Sequence, residues 1–222
     1  MIREQLLLAL QRHGQEISKR ISKITPTPGA ILASEMIAFL SLCWERDLHL
    51  VAESGRGLGY STQCIAACGM QGISVDITGD EDRKLLRLTR GVRLEVADGF
   101  KRIPEIMKRL RGRDVAVLLD GPSGHKAIHL ADQVLESSTF VAIHDMSRYR
   151  WSGRAQFNPE RMAFERKFPS AWISDDNSIM KRWRAADEGH VKVSGHSSWE
   201  RLTEYRCGLG FIAGGLWRED AE

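Results

Sequence analysis

Acidic and imidazole side chains follow two apolar runs in the middle of the chain. Asp120 comes directly after the run 115–119, and His144 and Asp145 come directly after the next long apolar run. His125 lies five residues beyond Asp120. Carboxylates and imidazoles can take a proton from a reacting hydroxyl, and imidazole titrates closest to neutral pH. Asp120, His125 and His144 are therefore the candidate catalytic residues.

A glycine-rich segment precedes these residues. It reads Glu53-Ser54-Gly55-Arg56-Gly57-Leu58-Gly59 and lies between an apolar run and a stretch with helical character that includes Ser61. Glycine adopts positive φ and lets a ligand touch the backbone, so three glycines at alternate positions can hold a cofactor directly on the chain. The spacing differs from the G-x-G-x-x-G of dinucleotide-binding folds, and no Gly-Lys-Ser/Thr of a P-loop follows. The segment therefore indicates a cofactor loop of a different type.

The elements that must position these residues alternate between two patterns. Apolar runs typical of strands occur at 49–54, 72–77, 92–97, 114–120 and 139–143, with amphipathic stretches typical of helices between them. Such alternation predicts an α/β fold with a doubly wound, mostly parallel sheet and helices on both faces. The segments 172–174 and 206–213 predict an antiparallel pair at one edge. Ligands in such sheets bind at the carboxyl ends of the strands, where the glycine segment and the acidic residues both stand.

Two further helices are predicted before the first strand. Residues 2–24 form either one long helix or two helices broken near Gly14, and residues 30–46 form the second, after a linker with two prolines. We interpret residues 1–46 as a helical cap and residues 47–222 as the α/β domain. The two parts are expected to form a single globular unit.

The sequence Glu-x-Gly-x-Gly-x-Gly after the first strand resembles motif I of the class I S-adenosylmethionine-dependent methyltransferases. The resemblance extends over about residues 25–145. It implies a Rossmann-like, seven-stranded sheet and S-adenosylmethionine as the cofactor. The cofactor-binding residues that it implies in the glycine loop are Glu53, Gly55, Gly57, Gly59 and Ser61. Beyond the loop it implies roles for three acids. Asp76 would hold the ribose hydroxyls, Asp98 would lie near the adenine, and Asp120 would face the methyl group and the acceptor.

Residues 59–62 and the pair His144-Asp145 look most like the small-molecule O-methyltransferase branch, which includes catechol-type and macrolide-sugar enzymes. In its metal-dependent members, acids after the fourth and fifth strands hold Mg²⁺, and Asp120 and Asp145 match those two positions. Met146 stands where an oxygen ligand is usual, and a thioether is a poor ligand for a hard cation. Two alternatives therefore stay open: a Mg²⁺ site at Asp120 and Asp145, or metal-free catalysis with His144 or His125 as the general base.

The distribution of charge along the chain indicates which class of acceptor to expect. The net charge is only +3, but residues 83–113 hold eleven Lys or Arg against three Asp or Glu. Because no aromatic interleaving or RNA-binding motif accompanies this block, it is typical of solvated helix faces and disfavours nucleic acid as a partner. Arginines beside aromatic residues suit an anionic, aromatic or sugar acceptor. The candidates for this acceptor rim are Arg148, Tyr149, Arg150, Trp151, Arg154 and Phe157, with Trp183 as a further rim residue or a dimer contact.

We therefore expect S-adenosylmethionine-dependent O-methylation of a small polar, sugar-like or anionic acceptor. The alternatives are an RNA methyltransferase and a non-catalytic binding module on a methyltransferase-like scaffold. The four cysteines are irregularly spaced, the N-terminus makes a poor signal peptide, and the apolar stretches are too short to span a membrane. These observations predict a cytoplasmic protein without membrane contact. The amphipathic N-terminal helices fit either a cover over the cofactor or a contact in a homodimer.

Overall fold

The computed structural model describes residues 2–27, 30–79, 82–146, 158–174, 180–194 and 208–217. Their strands form a seven-stranded sheet with the order β3-β2-β1-β4-β5-β7-β6. The strands are β1 (Leu50–Ser54), β2 (Gln71–Asp76), β3 (Val92–Val96), β4 (Ala116–Leu119), β5 (Phe140–Ile143), β6 (Trp172–Ile173) and β7 (Gly210–Ala213). Strands β1 to β5 are parallel, whereas β7 runs antiparallel to both β5 and β6. The predicted fold class, with its antiparallel edge, is confirmed.

Helices cover both faces of this sheet. They are α1 (Ile2–Ile21), α2 (Ala33–Glu45), α3 (Tyr60–Ala67), α4 (Asp82–Leu88), α5 (Gly99–Arg109), α6 (His125–Leu135), α7 (Pro159–Lys167) and α8 (Glu188–Ser194), with a 3₁₀ helix at Lys181–Asp187. Of the two expectations for the N-terminus, the single long helix is observed, because the apolar residues of α1 recur at helical spacing and are buried. Within the described ranges, no helix combines the length and the apolar character needed to cross a membrane.

The core consists of two apolar layers, one on each face of the sheet. In β4, Leu118 packs into the layer formed with α1, α2 and α3, whereas Val117 and Leu119 pack into the layer formed with α5, α6 and α7. All four residues of this strand are buried, as expected for a strand covered on both sides. Phe39 of α2 contacts Phe140 of β5, with ring centroids 5.5 Å apart. The N-terminal helices thus share a core with the sheet, and a domain boundary at 46/47 stays a prediction.

A buried polar cluster joins α2 to the other end of the chain. Arg184 is fully buried and donates to Ser34 Oγ at 2.9 Å and to the Ser174 carbonyl at 3.1 Å. Asp187 accepts from the Ser34 amide at 2.8 Å and from Ser34 Oγ at 2.7 Å. Burial raises the pKa of Asp187 to about 6, although Arg184 and the hydrogen bonds from Ser34 oppose this shift. We call these four residues the Arg184 cluster; it ties the first turn of α2 to the 3₁₀ helix and to the end of β6.

Trp183 lies in the core. Only 9% of it is exposed, and its ring packs against α1 at Gly14, where a side chain would collide with the ring. The sequence suggested Trp183 for the acceptor rim or a dimer contact; its packing on α1 contradicts both uses. The homodimer itself stays a prediction.

We expect the variant Arg184→Met to lower the free energy of unfolding by about 3 kcal/mol or more, because it leaves the Asp187 carboxylate buried without its cation. The variant Arg182→Met changes an exposed guanidinium two residues earlier in the same 3₁₀ helix and should cost less than about 1 kcal/mol. Urea denaturation of the two variants measures the difference. Equal losses would show that the buried charge is not what stabilises this junction.

Candidate active site

A cavity of about 820 Å³ opens at the carboxyl ends of β1, β2, β4 and β5. Eight of the residues singled out in the sequence line it: Gly55, Gly57, Ser61, Asp76, Asp98, Asp120, His144 and Asp145. Glu53, Gly59 and His125 are not among its lining residues. The structure therefore brings most of the predicted site to one edge of the sheet, as the strand order requires.

The glycine loop is packed against the loop that follows β4. Gly55 has a φ of +87°, and a Cβ at this position would lie 2.6 Å from the carbonyl carbon of Asp120. The Ser54 carbonyl accepts hydrogen bonds from the amides of Asp120 at 2.8 Å and of Gly121 at 3.0 Å. Gly57 has a φ of +50°, but a Cβ there would meet no protein atom within 4 Å. Gly55 is thus required by the protein's own packing, whereas Gly57 leaves open space at the cavity wall.

Asp76 holds the glycine loop in place. Its Oδ2 accepts from the Gly57 amide at 2.9 Å, and its Oδ1 accepts from the amide and the hydroxyl of Thr78, both at 2.9 Å. Burial raises the pKa of this carboxyl, but the hydrogen bonds from Thr78 and Gly57 outweigh burial, so its pKa lies below the usual value. Asp76 is therefore ionised at neutral pH and borders the cavity.

Arg56 is a residue of the loop that the sequence did not single out. It is 3% exposed and donates to the carbonyls of Glu95 at 3.0 Å, Thr78 at 3.0 Å and Ser74 at 3.4 Å. It therefore ties the loop to the carboxyl ends of β2 and β3. An arginine between two glycines suggests a solvated side chain, so no pattern in the sequence predicts this role.

Glu53 lies beneath the loop, away from the cavity lining. Its Oε2 accepts from Thr62 Oγ1 at 2.5 Å, which links β1 to α3. Burial raises the pKa of Glu53, although hydrogen bonds from Ser61, Ser74 and Thr62 oppose this shift. Gly59 precedes α3 with a φ of +86° and packs against Leu85. Neither residue lines the cavity, and both pack against other parts of the protein. Their contact with a cofactor stays a prediction.

The two acids and the imidazole after β4 and β5 meet at the floor of the cavity. His144 Nδ1 lies 2.6 Å from Asp120 Oδ1 and 3.5 Å from Asp145 Oδ1. His144 is 7% exposed, and the side chain of Asp120 is 16% exposed. Burial raises the pKa of Asp120, although the charge and hydrogen bond of His144 oppose this shift. Asp120 is therefore a stronger proton acceptor than an ordinary aspartate.

A third carboxylate reaches His144 from the N-terminal helices. Glu35 Oε2 lies 3.4 Å from His144 Nε2, and Glu35 is fully buried. The sequence reasoning did not identify this residue. A usable signal exists, because Glu35 is the one charged residue between positions 24 and 45. A lone charge in an otherwise apolar helix requires a buried partner.

The remaining candidates lie apart from this floor. His125 is the exposed first residue of α6, and Asp98, the residue before α5, caps that helix by accepting from the Phe100 amide at 3.0 Å. In the part of the chain that the structure describes, no group of three or more His, Cys, Asp or Glu side chains is arranged to hold a metal ion. The Mg²⁺ site at Asp120 and Asp145 therefore stays a prediction without support from the geometry. The predicted acceptor rim, Arg148 to Phe157, lies outside the described residues.

No protein-family model and no curated protein matches the chain. Several solved structures, however, are similar to it. A protein from Klebsiella pneumoniae described as an O-methyltransferase matches with a TM-score of 0.55 and 14% identity, over 91% of this chain and 90% of its own. The methyltransferase domain of bacterial-CtHen1-CN matches with a TM-score of 0.50 and 10% identity, over 81% of this chain and 97% of its own.

The fold is that of the Rossmann-like methyltransferases. Identities this low relate the folds alone, and they do not single out the small-molecule branch that the sequence suggested. A fold does not determine the reaction or the acceptor, which depend on the residues of the cavity.

His190 is a buried imidazole close to this site. It lies on α8, is 1% exposed, and packs edge-on against Tyr60 with ring centroids 4.8 Å apart. Burial lowers its pKa to about 4, although the Ile31 backbone and the charge of Glu35 oppose this shift. His190 is therefore neutral in the folded chain at physiological pH.

This lowered pKa predicts a pH dependence of stability. An unfolded histidine takes up a proton near pH ~6.5, whereas folded His190 does so only near pH 4. Neutral His190 therefore favours the folded state above pH ~6.5, and this contribution is lost as the pH falls toward about 4. Relative to wild type, we expect His190→Gln to reduce the loss of unfolding free energy over this range by up to about 3 kcal/mol. Urea denaturation at several pH values measures it, with the exposed His129→Gln as the control. A wild-type profile in His190→Gln would contradict the expectation.

Proposed function

We propose that this chain is an S-adenosylmethionine-dependent methyltransferase that methylates a hydroxyl oxygen of a small polar acceptor. One observation carries the proposal: a single cavity has the glycine loop and Asp76 in one wall and the Asp120–His144 pair at its floor. A cofactor lying on the loop would thus extend toward a proton acceptor. A sugar-like or anionic acceptor is the finer form of the same proposal.

The residues present suit this cofactor. Gly57 leaves open space for a ligand against the backbone, and Asp76 supplies ionised carboxylate oxygens that can accept from ribose hydroxyls. Leu58 and Ile77 line the cavity and are 52% and 74% exposed, so they offer apolar surface to a purine ring. The carboxylates of Asp120 and Asp145 favour a positively charged sulfonium. Each part of the cofactor therefore has a complementary group in this chain.

The chemistry assigned to the chain itself is proton acceptance and orientation. S-adenosylmethionine, when bound, would supply a methyl carbon that a nucleophilic oxygen can attack, with S-adenosylhomocysteine as the leaving group. Asp120 borders the cavity and, with its raised pKa, is placed to take the proton from the acceptor hydroxyl as that oxygen attacks. His144, 2.6 Å away, stabilises the Asp120 carboxylate and fixes its direction. Holding both reactants in one cavity supplies the rest of the rate enhancement.

The cavity wall favours a small acceptor. Thr27 and Ala30, from the linker between α1 and α2, line the cavity together with Pro122 and Ser123 from the loop after β4. The cavity of about 820 Å³ must hold the cofactor together with the acceptor. This limited volume favours a small molecule over a duplex nucleic acid.

Calorimetry with S-adenosylhomocysteine tests cofactor binding. We expect wild type to bind in the micromolar range and Gly57→Ala to bind at least about tenfold more weakly, because the added methyl takes up space at the cavity wall. Gly112→Ala is the matched control: it also has positive φ and open surroundings, but it lies outside the cavity lining. Both variants should lose about 1 kcal/mol of stability. Absence of binding to folded wild type would refute the proposal.

Turnover across a panel of catechols and sugar hydroxyls tests the proton acceptor. We expect Asp120→Asn to lower kcat by about a hundredfold or more, because an amide cannot accept the proton. Its affinity for S-adenosylhomocysteine should change far less. Asp114→Asn, at an exposed position before the same strand, is the control. Wild-type turnover by Asp120→Asn would remove this residue from the mechanism.

A further inference from the structure

We propose that Glu35, supplied by the N-terminal helix α2, is the positioning residue of His144 and thereby makes the helical cap part of the active site. The inference rests on the proposed function for its catalytic meaning. Glu35 lines no part of the cavity within the described chain and lies behind His144. Its role would therefore be exerted through the imidazole.

One oxygen of the Glu35 carboxylate lies close to two groups, a backbone amide and the His144 ring. Its Oε2 accepts from the amide of Leu32, the residue before α2, at 3.0 Å. The same oxygen lies 3.4 Å from His144 Nε2. The start of α2 thus sets the place of the carboxylate, and the carboxylate sets the place of the imidazole.

Helix capping alone does not explain a fully buried glutamate. Capping is satisfied by side chains at exposed helix ends, whereas an ionised carboxylate is costly to bury without a partner. Burial raises the pKa of Glu35, yet the hydrogen bond and charge of His144, and the charge of Arg184, outweigh it, so its pKa lies below the usual value. His144 is accordingly the first partner that stabilises this charge.

Each of the two ring nitrogens of His144 lies close to a carboxylate. Nδ1 lies 2.6 Å from Asp120 and Nε2 lies 3.4 Å from Glu35. A flip or rotation of the ring would disrupt both interactions together. The line Glu35–His144–Asp120 therefore fixes the direction of the Asp120 carboxylate, and it runs from the cap to the cavity floor.

Contacts of the neighbouring residue, Ser34, hold the first turn of α2 in place. Ser34, the residue before Glu35, donates through its amide and its hydroxyl to Asp187 at 2.8 and 2.7 Å. The Arg184 cluster thus anchors the same turn of α2 without touching His144. Ser34 supplies a control position, because Ser34→Ala removes the hydroxyl contacts with Asp187 and Arg184, whereas the backbone amide still donates to Asp187 and keeps this turn in place.

The test compares Glu35→Met, Glu35→Gln and Ser34→Ala in the full chain. In protein labelled with ¹⁵N-histidine, the ring signals of His144 are assigned by their loss in His144→Gln. Glu35→Met is expected to shift the His144 Nε2 signal and to broaden the ring signals, because one side of the ring loses its partner. Glu35→Gln should shift Nε2 without broadening, since the amide oxygen still accepts. Ser34→Ala should leave the His144 signals at their wild-type positions.

Turnover and cofactor affinity complete the test. We expect Glu35→Met to lower kcat about tenfold or more, while its dissociation constant for S-adenosylhomocysteine stays within about twofold of wild type. Glu35→Gln should retain most of kcat, and Ser34→Ala should match wild type in both. Unshifted His144 signals in Glu35→Met, or in Glu35→Gln if Glu35→Met does not fold, would overturn the inference. An equal kcat loss in Ser34→Ala would do the same.

The failure of the two proposals can be told apart. If wild type binds no S-adenosylhomocysteine, the proposed function fails, while the His144 signals still report whether Glu35 orients the ring. If wild type binds and turns over but the His144 signals ignore Glu35, only the positioning role fails.

Discussion

Charged groups in the interior of this chain are stabilised by one another, and the site depends on that pairing. Glu35, His144 and Asp120 come from α2 and from the ends of β5 and β4, and their largely buried side chains meet at and behind the floor of the cavity. A buried ion that loses its partner is costly, so the three elements cannot shift independently. The same rule governs the Arg184 cluster, which contacts the same turn of α2. The cap is therefore joined to the sheet by charge as well as by apolar contact.

The glycine loop is likewise held by contacts within the protein, on the side of the cavity where we propose that the cofactor binds. Asp76 accepts from the loop amide at Gly57, and Arg56 donates to carbonyls at the ends of β2 and β3. The loop is thus shaped by contacts within the protein. A binding surface formed in advance loses less conformational entropy when a ligand arrives. In this arrangement Arg56 and Asp76 hold the backbone that lines the cavity.

The sheet, and the position of several candidate residues at one of its edges, could be predicted from the sequence for one physical reason. Parallel strands buried on both faces leave nearly continuous apolar runs, and their carboxyl ends must lie at one edge, which brings Asp76, Asp120 and His144 together. Arg56 could not be predicted, because its partners are backbone carbonyls, one of them 39 residues away at Glu95. Glu35 was detectable as a lone charge in an apolar helix, but its partner depends on how α2 lies on the sheet. His125 is the opposite case: an imidazole is suited to proton transfer, but this side chain is exposed at the first residue of α6.

The contact between Phe39 and Phe140 bears on how this protein could be redesigned. A shortened chain beginning at residue 47 would expose the apolar face of β4 and β5 to water and would deprive His144 of a counter-charge. Grafting a different cap onto the sheet would consequently need two matched properties, an apolar surface for Phe140 and a carboxylate where Glu35 stands. Exchange of the cap would thus alter the charged cluster at the cavity floor as well as the core, so cap and sheet would have to be changed together.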